Sequence, residues 1–198
     1  MHPDSYQTIE RISIAEYKDK GSRFIAYAFP VDTSEAIQQQ LTRLKAEHPK
    51  AVHHCYAFRI GTDKNNWRAQ DDGEPSGSAG KPILGQIDSF GLTNLLIVVV
   101  RYFGGTLLGV PGLIQAYKSA SRQALQSASI ITRQLETACC IRCAYERQFD
   151  IMKLLKQRKI PFTVHAEAEE IRFTLSVPVN RFNELKSVIG DFAIIECQ

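Results

Sequence analysis

A run of six apolar residues, Leu95 to Val100, is the feature that most constrains the fold of this chain. It is wholly aliphatic and ends in three consecutive valines, a composition typical of a buried β-strand. The run stops at Arg101, far short of the roughly 20 apolar residues that a membrane-spanning helix requires. We therefore predict a buried strand over residues 95–102 that delivers an arginine to the rim of the core.

Composition favours a cytoplasmic globular protein. The chain has 198 residues, of which 44% are hydrophobic and 23% are charged, and this balance disfavours disorder. Its net charge of +3 is well below that of a strongly basic nucleic-acid-binding domain. Five cysteines are an odd number, so we expect reduced, buried thiols rather than a disulfide framework.

Hydrophobic periodicity divides the chain into two α+β domains, residues 1–136 and residues 137–198. The expected elements of the first domain are strands at 9–17 and 23–29, a helix opened by an Asp32/Glu35 capping box, a strand at 52–60, a long polar loop, a helix with Pro82 in its first turn, the strand at 95–102 and a helix from Gly112.

The second domain has the pattern of a complete small unit. Its expected elements are a strand at 138–145, a helix at 148–158, strands at 162–167 and 170–177, a helix at 180–189 and a strand at 192–197. That βαββαβ order is typical of the ferredoxin-like arrangement. Phe173 alternates in phase with Ile171 and Leu175, so we expect it in the core and not on an RNA-stacking surface.

The polar loop before the second helix offers two kinds of site. Gly80 and Lys81 precede a helix N-terminus, where unpaired N–H groups favour an anion, although a solvated loop explains them equally well. Asp71, Asp72 and Glu74 provide oxygen ligands for a divalent cation, but their spacing matches no EF-hand loop. A turn with solvated acids is the simpler interpretation, and we predict no metal.

His53, His54 and Cys55 lie together on a predicted strand. Neighbouring side chains on a strand leave opposite faces, so His53 and His54 cannot easily chelate one ion, whereas His53 and Cys55 share a face. Zinc requires more ligands than these two, and the sulfurs of Cys140 and Cys143 also diverge on a strand. We therefore predict no zinc site and keep His53 as a pocket residue.

Arg101 and the glycine pair Gly104 and Gly105 follow the buried strand. The glycines permit close approach of a ligand or of a second chain segment. The guanidinium of Arg101 must reach water, a carboxylate or a phosphate, because burying it unpaired is too costly. It is therefore either a structural ion pair with the loop carboxylates or a phosphate hook, and spacing does not decide between them.

These segments together resemble one family, the IMPACT family. The resemblance is carried by Gly80-Lys-Pro-Ile-Leu84, Ile87, Leu92, residues 98–105 and Leu108-Gly109, with further similarity at residues 20–24, 53–55 and 71–75. It covers most of residues 18–120. Two positions depart from bacterial relatives, which commonly carry Gly at 111 and Thr at 78 where this chain has Pro111 and Ser78.

The resemblance implies a fold more firmly than an activity. It implies an amino-terminal domain like the second domain of a small-subunit ribosomal protein, a fold shared with elongation factor G and with small-molecule kinases of the GHMP type. It implies a carboxy-terminal domain similar to the last domain of elongation factor G. Eukaryotic relatives are regulators of translation, so the resemblance directs attention to RNA and the translation machinery.

Two functions follow as hypotheses. The first is a non-enzymatic binding protein of translation that contacts RNA phosphates, or a ribosomal or other protein partner, without a cofactor. Its candidate anion-binding residues are Lys81, Arg101, Gly104, Gly105, Lys118 and Arg122. The second is a phosphate-handling enzyme whose pocket contains His53, Asp71, Asp72 and Glu74. Convergence of these groups on one pocket favours the enzyme, whereas a flat basic surface favours RNA.

Overall fold

The computed structural model describes residues 4–63, 65–190 and 193–197, with the side chain of Cys197 outside the description. The described chain forms two compact units. One holds residues 6–133, and the other holds residues 134–197 together with residues 4 and 5. None of the helices in these ranges is long and apolar enough to cross a membrane.

The chain up to residue 134 contains seven strands and three helices among its described residues. They are β1 (Ser5–Ile9), β2 (Ser13–Asp19), β3 (Ser22–Pro30), α1 (Ser34–Glu47), β4 (His53–Ile60), β5 (Asn66–Gln70), α2 (Gly80–Ser89), β6 (Leu95–Tyr102), α3 (Gly109–Gln126) and β7 (Ile130–Gln134). Five strands form an antiparallel sheet in the order β2-β3-β6-β4-β5, and β1 pairs with β7.

The aliphatic run is the central strand β6, and both of its faces are buried. Leu95, Ile97 and Val99 pack in one hydrophobic cluster with α2 and α3. Leu96, Val98 and Val100 pack in a second cluster with α1. Each fully buried aliphatic side chain contributes about 1.5–3 kcal/mol, so this strand anchors two helical layers on one sheet. The predicted bounds of β6 are confirmed.

Two strand predictions in this unit are wrong. The predicted strand at 9–17 is broken at residues 10–12, which are exposed and separate β1 from β2. The predicted polar loop contains β5, whose residues are mostly exposed because it is the edge strand of the sheet. Only Ala69 of this edge strand packs against the core, so the strand lacks the apolar alternation that identifies strands in a sequence.

The helix ends also differ from the prediction. Thr33, not Asp32, is the N-cap of α1, and its side chain accepts a hydrogen bond from the N–H of Ala36, so the Asp32/Glu35 capping box is wrong. Helix α2 begins two residues before Pro82, and α3 begins at Gly109 rather than at Gly112. The earlier start of α3 places its first turn beside the end of β6, which matters for the site.

The second unit contains β8 (Glu136–Cys143), α4 (Gln148–Gln157), β9 (Phe162–Ala166), β10 (Ile171–Pro178), α5 (Val179–Ile189) and β11 (Ile194–Cys197). Its sheet has the order β11-β8-β10-β9, with all described pairs antiparallel. Phe173 lies in the core with Ile171 and Leu175, as expected. The predicted start of the last strand, Phe192, lies outside the described residues.

The described thiols are free, as expected from the odd number of cysteines. Cys55, Cys139, Cys140 and Cys143 are buried and form no disulfide. Cys140 and Cys143 belong to one strand, β8, so the CxxC spacing does not bring their sulfurs together in the way a metal site requires.

Candidate functional site

A buried cluster of polar side chains lies where β6, α3 and the loop over residues 71–79 meet. Glu74 Oε1 lies 2.5 Å from Arg101 Nη1 and accepts a hydrogen bond of 2.7 Å from the Tyr117 hydroxyl. Arg101 and Glu74 are only 6% and 8% exposed. Of the two roles that the sequence left open for Arg101, the structure therefore shows the ion pair with a loop carboxylate.

Aromatic rings cover the guanidinium of Arg101. Its Cζ lies 5.4 Å from the centroid of the Phe24 ring and 5.8 Å from that of Phe103, distances at which the ring faces attract a cation. The Nε atom of Arg101 is buried and has no hydrogen-bond partner among the described residues. One donor of this buried cation is thus left unsatisfied.

His53 is oriented by the backbone of the polar loop. Its Nδ1 lies 2.7 Å from the carbonyl oxygen of Asp72, and a carbonyl can only accept, so the Nδ1 atom carries a proton. The other ring nitrogen, Nε2, lies 3.8 Å from Glu74 Oε1. His53 therefore joins the Glu74 and Arg101 cluster, as the pocket prediction required.

His54 faces the other side of the sheet from His53, as expected for neighbours on a strand. Burial lowers the pKa of its imidazole. Its backbone N–H donates a hydrogen bond of 2.7 Å to Asp72 Oδ2, so the carboxylate of Asp72 is used by the main chain. The pair His53 and His54 is thus a structural connection between β4 and the loop and not a chelating pair.

Cys55 lies on the same side of the sheet as His53. Its Sγ is 2.9 Å from the carbonyl oxygen of Asp71 and 3.2 Å from the Tyr117 hydroxyl. Burial raises the pKa of both the Cys55 thiol and the Tyr117 hydroxyl, so both remain neutral at physiological pH. The two groups extend the polar cluster into the core as neutral hydrogen-bonding side chains.

Asp71 occupies the N-terminus of α2. Its Oδ1 accepts hydrogen bonds from the N–H groups of Ala79 and Gly80 at 3.0 and 2.8 Å, and its Oδ2 accepts one from Gly77 at 2.8 Å. Burial raises the pKa of this carboxyl, but the three hydrogen bonds outweigh burial and hold the pKa below its ordinary value. The N–H groups of Ala79 and Gly80, which open α2 beside Lys81, are therefore already bonded and are not free for an external anion.

Gly104 makes room for a second chain segment. A Cβ atom at this position would lie 1.9 Å from the carbonyl carbon of Gly21 and 2.1 Å from the nitrogen of Ser22. The N–H of Gly104 donates to the Ser22 hydroxyl at 3.1 Å. Gly105 has φ of +87°, a conformation that favours glycine. Gly104 thus serves the packing of the β2–β3 turn and not the approach of a phosphate.

A cavity of about 370 Å³ opens beside the cluster. His53, Glu74 and Arg101 are its ionisable lining residues, and apolar side chains line most of the rest, including Val52, Phe103, Leu107, Val110 and Leu113. Three of the predicted residues therefore converge on one pocket. Lys81, Asp71, Asp72, Gly104 and Gly105 are not among its lining residues.

The first turn of α3 also borders this cavity through Gly109 and Val110, which the sequence analysis did not select. Tyr117 is not among the predicted site residues, although its hydroxyl bonds Glu74. The signal for Tyr117 was its chemistry, since a buried tyrosine hydroxyl needs a partner. The signal for the helix start was Pro111, because proline is tolerated in the first turn of a helix and not in its interior.

A separate groove of about 660 Å³ runs between α2 and α3. Lys118 and Arg122 line it, one turn apart on α3, and both are exposed. Neither makes an ion pair with another described residue, in contrast to Arg101. Phe90, Ile114 and Pro82 provide its apolar surface.

Within the described ranges, no group of three or more His, Cys, Asp or Glu residues could hold a metal ion.

Comparison with known proteins shows which proteins this chain is similar to. The model of the Impact N-terminal domain matches residues 20–125, which contain every residue of the cluster, the cavity and the groove. The IMPACT family member YigZ of Escherichia coli is 34% identical over 176 residues, covering 88% of this chain and 86% of that protein. The Saccharomyces cerevisiae protein IMPACT homolog is 34% identical over 113 residues, covering 56% of this chain and 43% of that protein.

A solved structure shows the same architecture. A crystal structure described as that of a hypothetical protein is 31% identical and covers 97% of this chain and 96% of its own, with a TM-score of 0.81. The similarity to YigZ extends beyond the matched domain, because it covers most of both chains. On the matched domain and on this full-length similarity, the chain belongs to the IMPACT family.

Proposed function

We propose that this chain is a non-enzymatic, cytoplasmic binding protein associated with translation or its regulation, and that it contacts RNA phosphates through the groove between α2 and α3. The observation that carries the proposal is the pair Lys118 and Arg122. Both cations are exposed, line one groove and have no ion-pair partner among the residues described. Phosphate oxygens are the acceptors that such a pair favours.

Family membership supports the same function. The resemblance to the IMPACT family implies a role in the regulation of translation, and the yeast IMPACT homolog is similar over more than half of this chain. The net charge of +3 is small, so binding through the bulk charge of the molecule is not expected. A local basic groove supplies the contact instead, with a strong dependence on salt.

The second unit supports contact with a backbone rather than with bases. The segment from Arg142 to Lys159 carries six basic and two acidic residues. Arg142, Arg147 and Arg158 are ion-paired, whereas Lys153, Lys156 and Lys159 are exposed. Phe173 is buried, and its strand presents Arg172, Thr174 and Ser176 on the other face, so this surface lacks the aromatic platform that stacks bases.

We further propose the fold identities of the two domains, with the boundary at residue 136. Residues 1–136 form an IMPACT-type domain like the second domain of a small-subunit ribosomal protein. Residues 137–198 form a ferredoxin-like domain similar to the last domain of elongation factor G. The sheet order β11-β8-β10-β9 supports the latter, because it interleaves the strands as the ferredoxin-like arrangement does.

The phosphate-handling enzyme receives less support. Its proposed acids are engaged within the protein, since Asp71 and Asp72 accept backbone N–H groups and Glu74 pairs with Arg101. Its proposed phosphate loop is filled at Gly104 by the β2–β3 turn. His53, Glu74 and Arg101 converge on one pocket, which supports a binding site there. The carboxylates of Asp71, Asp72 and Glu74 are all engaged within the protein, so none of them is free to act as a base or to bind a metal.

Ribosome co-sedimentation at low salt tests the proposed function. We expect the wild-type chain to pellet with ribosomes or to shift structured RNA in a gel, and the double variant Lys118→Glu/Arg122→Glu to do neither. A chain that associates with neither ribosomes nor RNA at low salt would contradict the proposal, because the phosphate contact is strongest there.

A further inference from the structure

The first turn of α3 has no side-chain cap among the described residues. Its N-cap residue, Leu108, makes no side-chain capping bond, and the turn contains no acidic residue. The other helices of this unit differ, because Thr33 caps α1 and Asp71 bonds the N–H groups that open α2. Pro111 has no N–H, so the donors at the positive end of this 18-residue helix are the N–H groups of Gly109 and Val110, and no side-chain cap occupies them.

A second, independent observation points to the same place. The cavity that Gly109 and Val110 border is also lined by Arg101, whose side chain is more than nine-tenths buried. The Nε atom of Arg101 has no hydrogen-bond partner among the described residues. A buried N–H without an acceptor is unfavourable, so both the helix end and the guanidinium favour a ligand that supplies an acceptor.

Charge and shape restrict the ligand further. The charge of Glu74 already balances that of Arg101, so the positive end of α3 is left to attract one negative charge of a ligand. The nearby carboxylate of Glu74 repels a second negative charge on the same ligand. The remaining walls are mostly apolar, and their side chains are partly open to solvent, with Phe103 48%, Val110 46% and Leu107 83% exposed. A volume of about 370 Å³ lies at the low end of the range of small-molecule sites, roughly 300–1,000 Å³.

We propose that this cavity binds a small organic monoanion, a carboxylate with an apolar body. The carboxylate accepts hydrogen bonds from the first turn of α3 and from Arg101, and the apolar body packs against Phe103 and Leu107. The Phe103 ring covers the guanidinium of Arg101, so the Phe103 side chain turns aside when the ligand enters. The site shares no lining residue with the groove of Lys118 and Arg122, so it is independent of the proposed RNA contact.

Isothermal titration calorimetry of the full chain tests the proposal with four probes. Phenylacetate carries both required features, 2-phenylethanol lacks the charge, inorganic phosphate lacks the apolar body, and phenyl phosphate adds a second charge. We expect phenylacetate to bind about tenfold more tightly than each of the other three. Absence of phenylacetate binding would overturn the site, and equal or tighter binding of phenyl phosphate would overturn its assignment to a monocarboxylate.

The variant Val110→Asp locates the bound probe. The substitution places a carboxylate in the first turn of α3, where the helix dipole favours it, so we expect the variant to fold. The new carboxylate then occupies the position of the ligand's carboxylate. We expect phenylacetate affinity to fall about tenfold. The matched control Gln115→Asp lies at an exposed position of the same helix, outside both the cavity and the groove, and its phenylacetate affinity should stay within about twofold of wild type. Equal affinities in the two variants would overturn the proposal, and thermal melting verifies that both are folded.

Discussion

Arg101 and Glu74, 27 residues apart in the chain, meet at 2.5 Å inside the first unit, where both side chains are nearly inaccessible to solvent. The pair joins the end of the central strand β6 to the polar loop before α2. The hydroxyl of Tyr117 bonds the same oxygen of Glu74, so α3 is connected to both. The buried pair therefore holds together the elements that form the cavity.

Breaking this pair should destabilise the protein strongly. Glu74→Gln keeps the shape of the side chain but leaves the Arg101 cation buried without a counter-charge, which costs about 3–5 kcal/mol. Urea unfolding followed by circular dichroism measures the change. The control Glu47→Gln breaks the exposed pair with Arg43 and should cost less than about 1 kcal/mol. A loss below about 1 kcal/mol for Glu74→Gln would contradict the structural role of the pair.

The two glycines after β6 should respond differently to alanine. Gly104→Ala places a Cβ atom within 2.1 Å of the Gly21 and Ser22 backbone, so it should cost at least about 3 kcal/mol. Gly105→Ala meets no atom within 4 Å and loses only the preference of glycine for positive φ, about 1–2 kcal/mol. Thermal unfolding ranks the variants.

Gly85 in α2 provides the matched control for these substitutions. A Cβ atom there meets nothing within 4 Å, and the position is helical, so Gly85→Ala should stabilise the protein by about 0.5–1 kcal/mol. Equal losses for Gly104→Ala and Gly105→Ala would show that the close approach to the β2–β3 turn does not restrict position 104.

Asp71 should give α2 a stability that depends on pH. Its pKa in the folded chain is lower than the ordinary value of 3.8, so its contribution is complete above that value and is lost as the pH falls through the folded pKa. Asp71→Ala should therefore cost about 1–2 kcal/mol near neutral pH. In urea unfolding, the difference from wild type should be constant from about pH 5 to pH 8 and narrow below about pH 4. A difference that widens in acid would contradict the capping role.

Cys55 should be inert in the folded protein. Burial raises the pKa of its thiol, and the thiolate is the form that reacts with iodoacetamide. At about pH 8, peptide mapping by mass spectrometry should find Cys55 unmodified in the native chain and modified after unfolding in urea. Modification at equal rates with and without urea would show that this part of the core is open.

Particular residues show what the sequence could predict. The aliphatic run that forms β6 fixed the buried strand because six apolar residues in succession are compatible with few other environments. The alternation around Phe173 correctly predicted which face of β10 is buried. The adjacent histidines on β4 correctly predicted opposite faces, because side chains alternate along any strand.

Other features depend on contacts that no local pattern contains. Asp71 caps a helix that begins nine residues later. A capping residue is expected next to the helix that it caps, so the sequence indicated an external anion at this N-terminus and not Asp71. The sequence left two partners open for Arg101, a loop carboxylate or a phosphate. Separation along the chain does not give distance in the fold, so only the structure identifies the partner as Glu74. Gly104 fits against a turn 82 residues earlier in the chain, and only the folded sheet brings these segments together.

The salt dependence of RNA binding tests the central claim most directly. Fluorescence anisotropy with a structured RNA should give a slope of log K against log salt that falls in magnitude by about 2 in the variant Lys118→Ala/Arg122→Ala, because two phosphate contacts are lost. The control Lys45→Ala/Lys50→Ala removes the same charge at α1 and the residues after it, and it should leave the slope unchanged. Wild-type affinity and slope in the groove variant, or an equal loss in the control, would contradict the claim that this groove binds RNA.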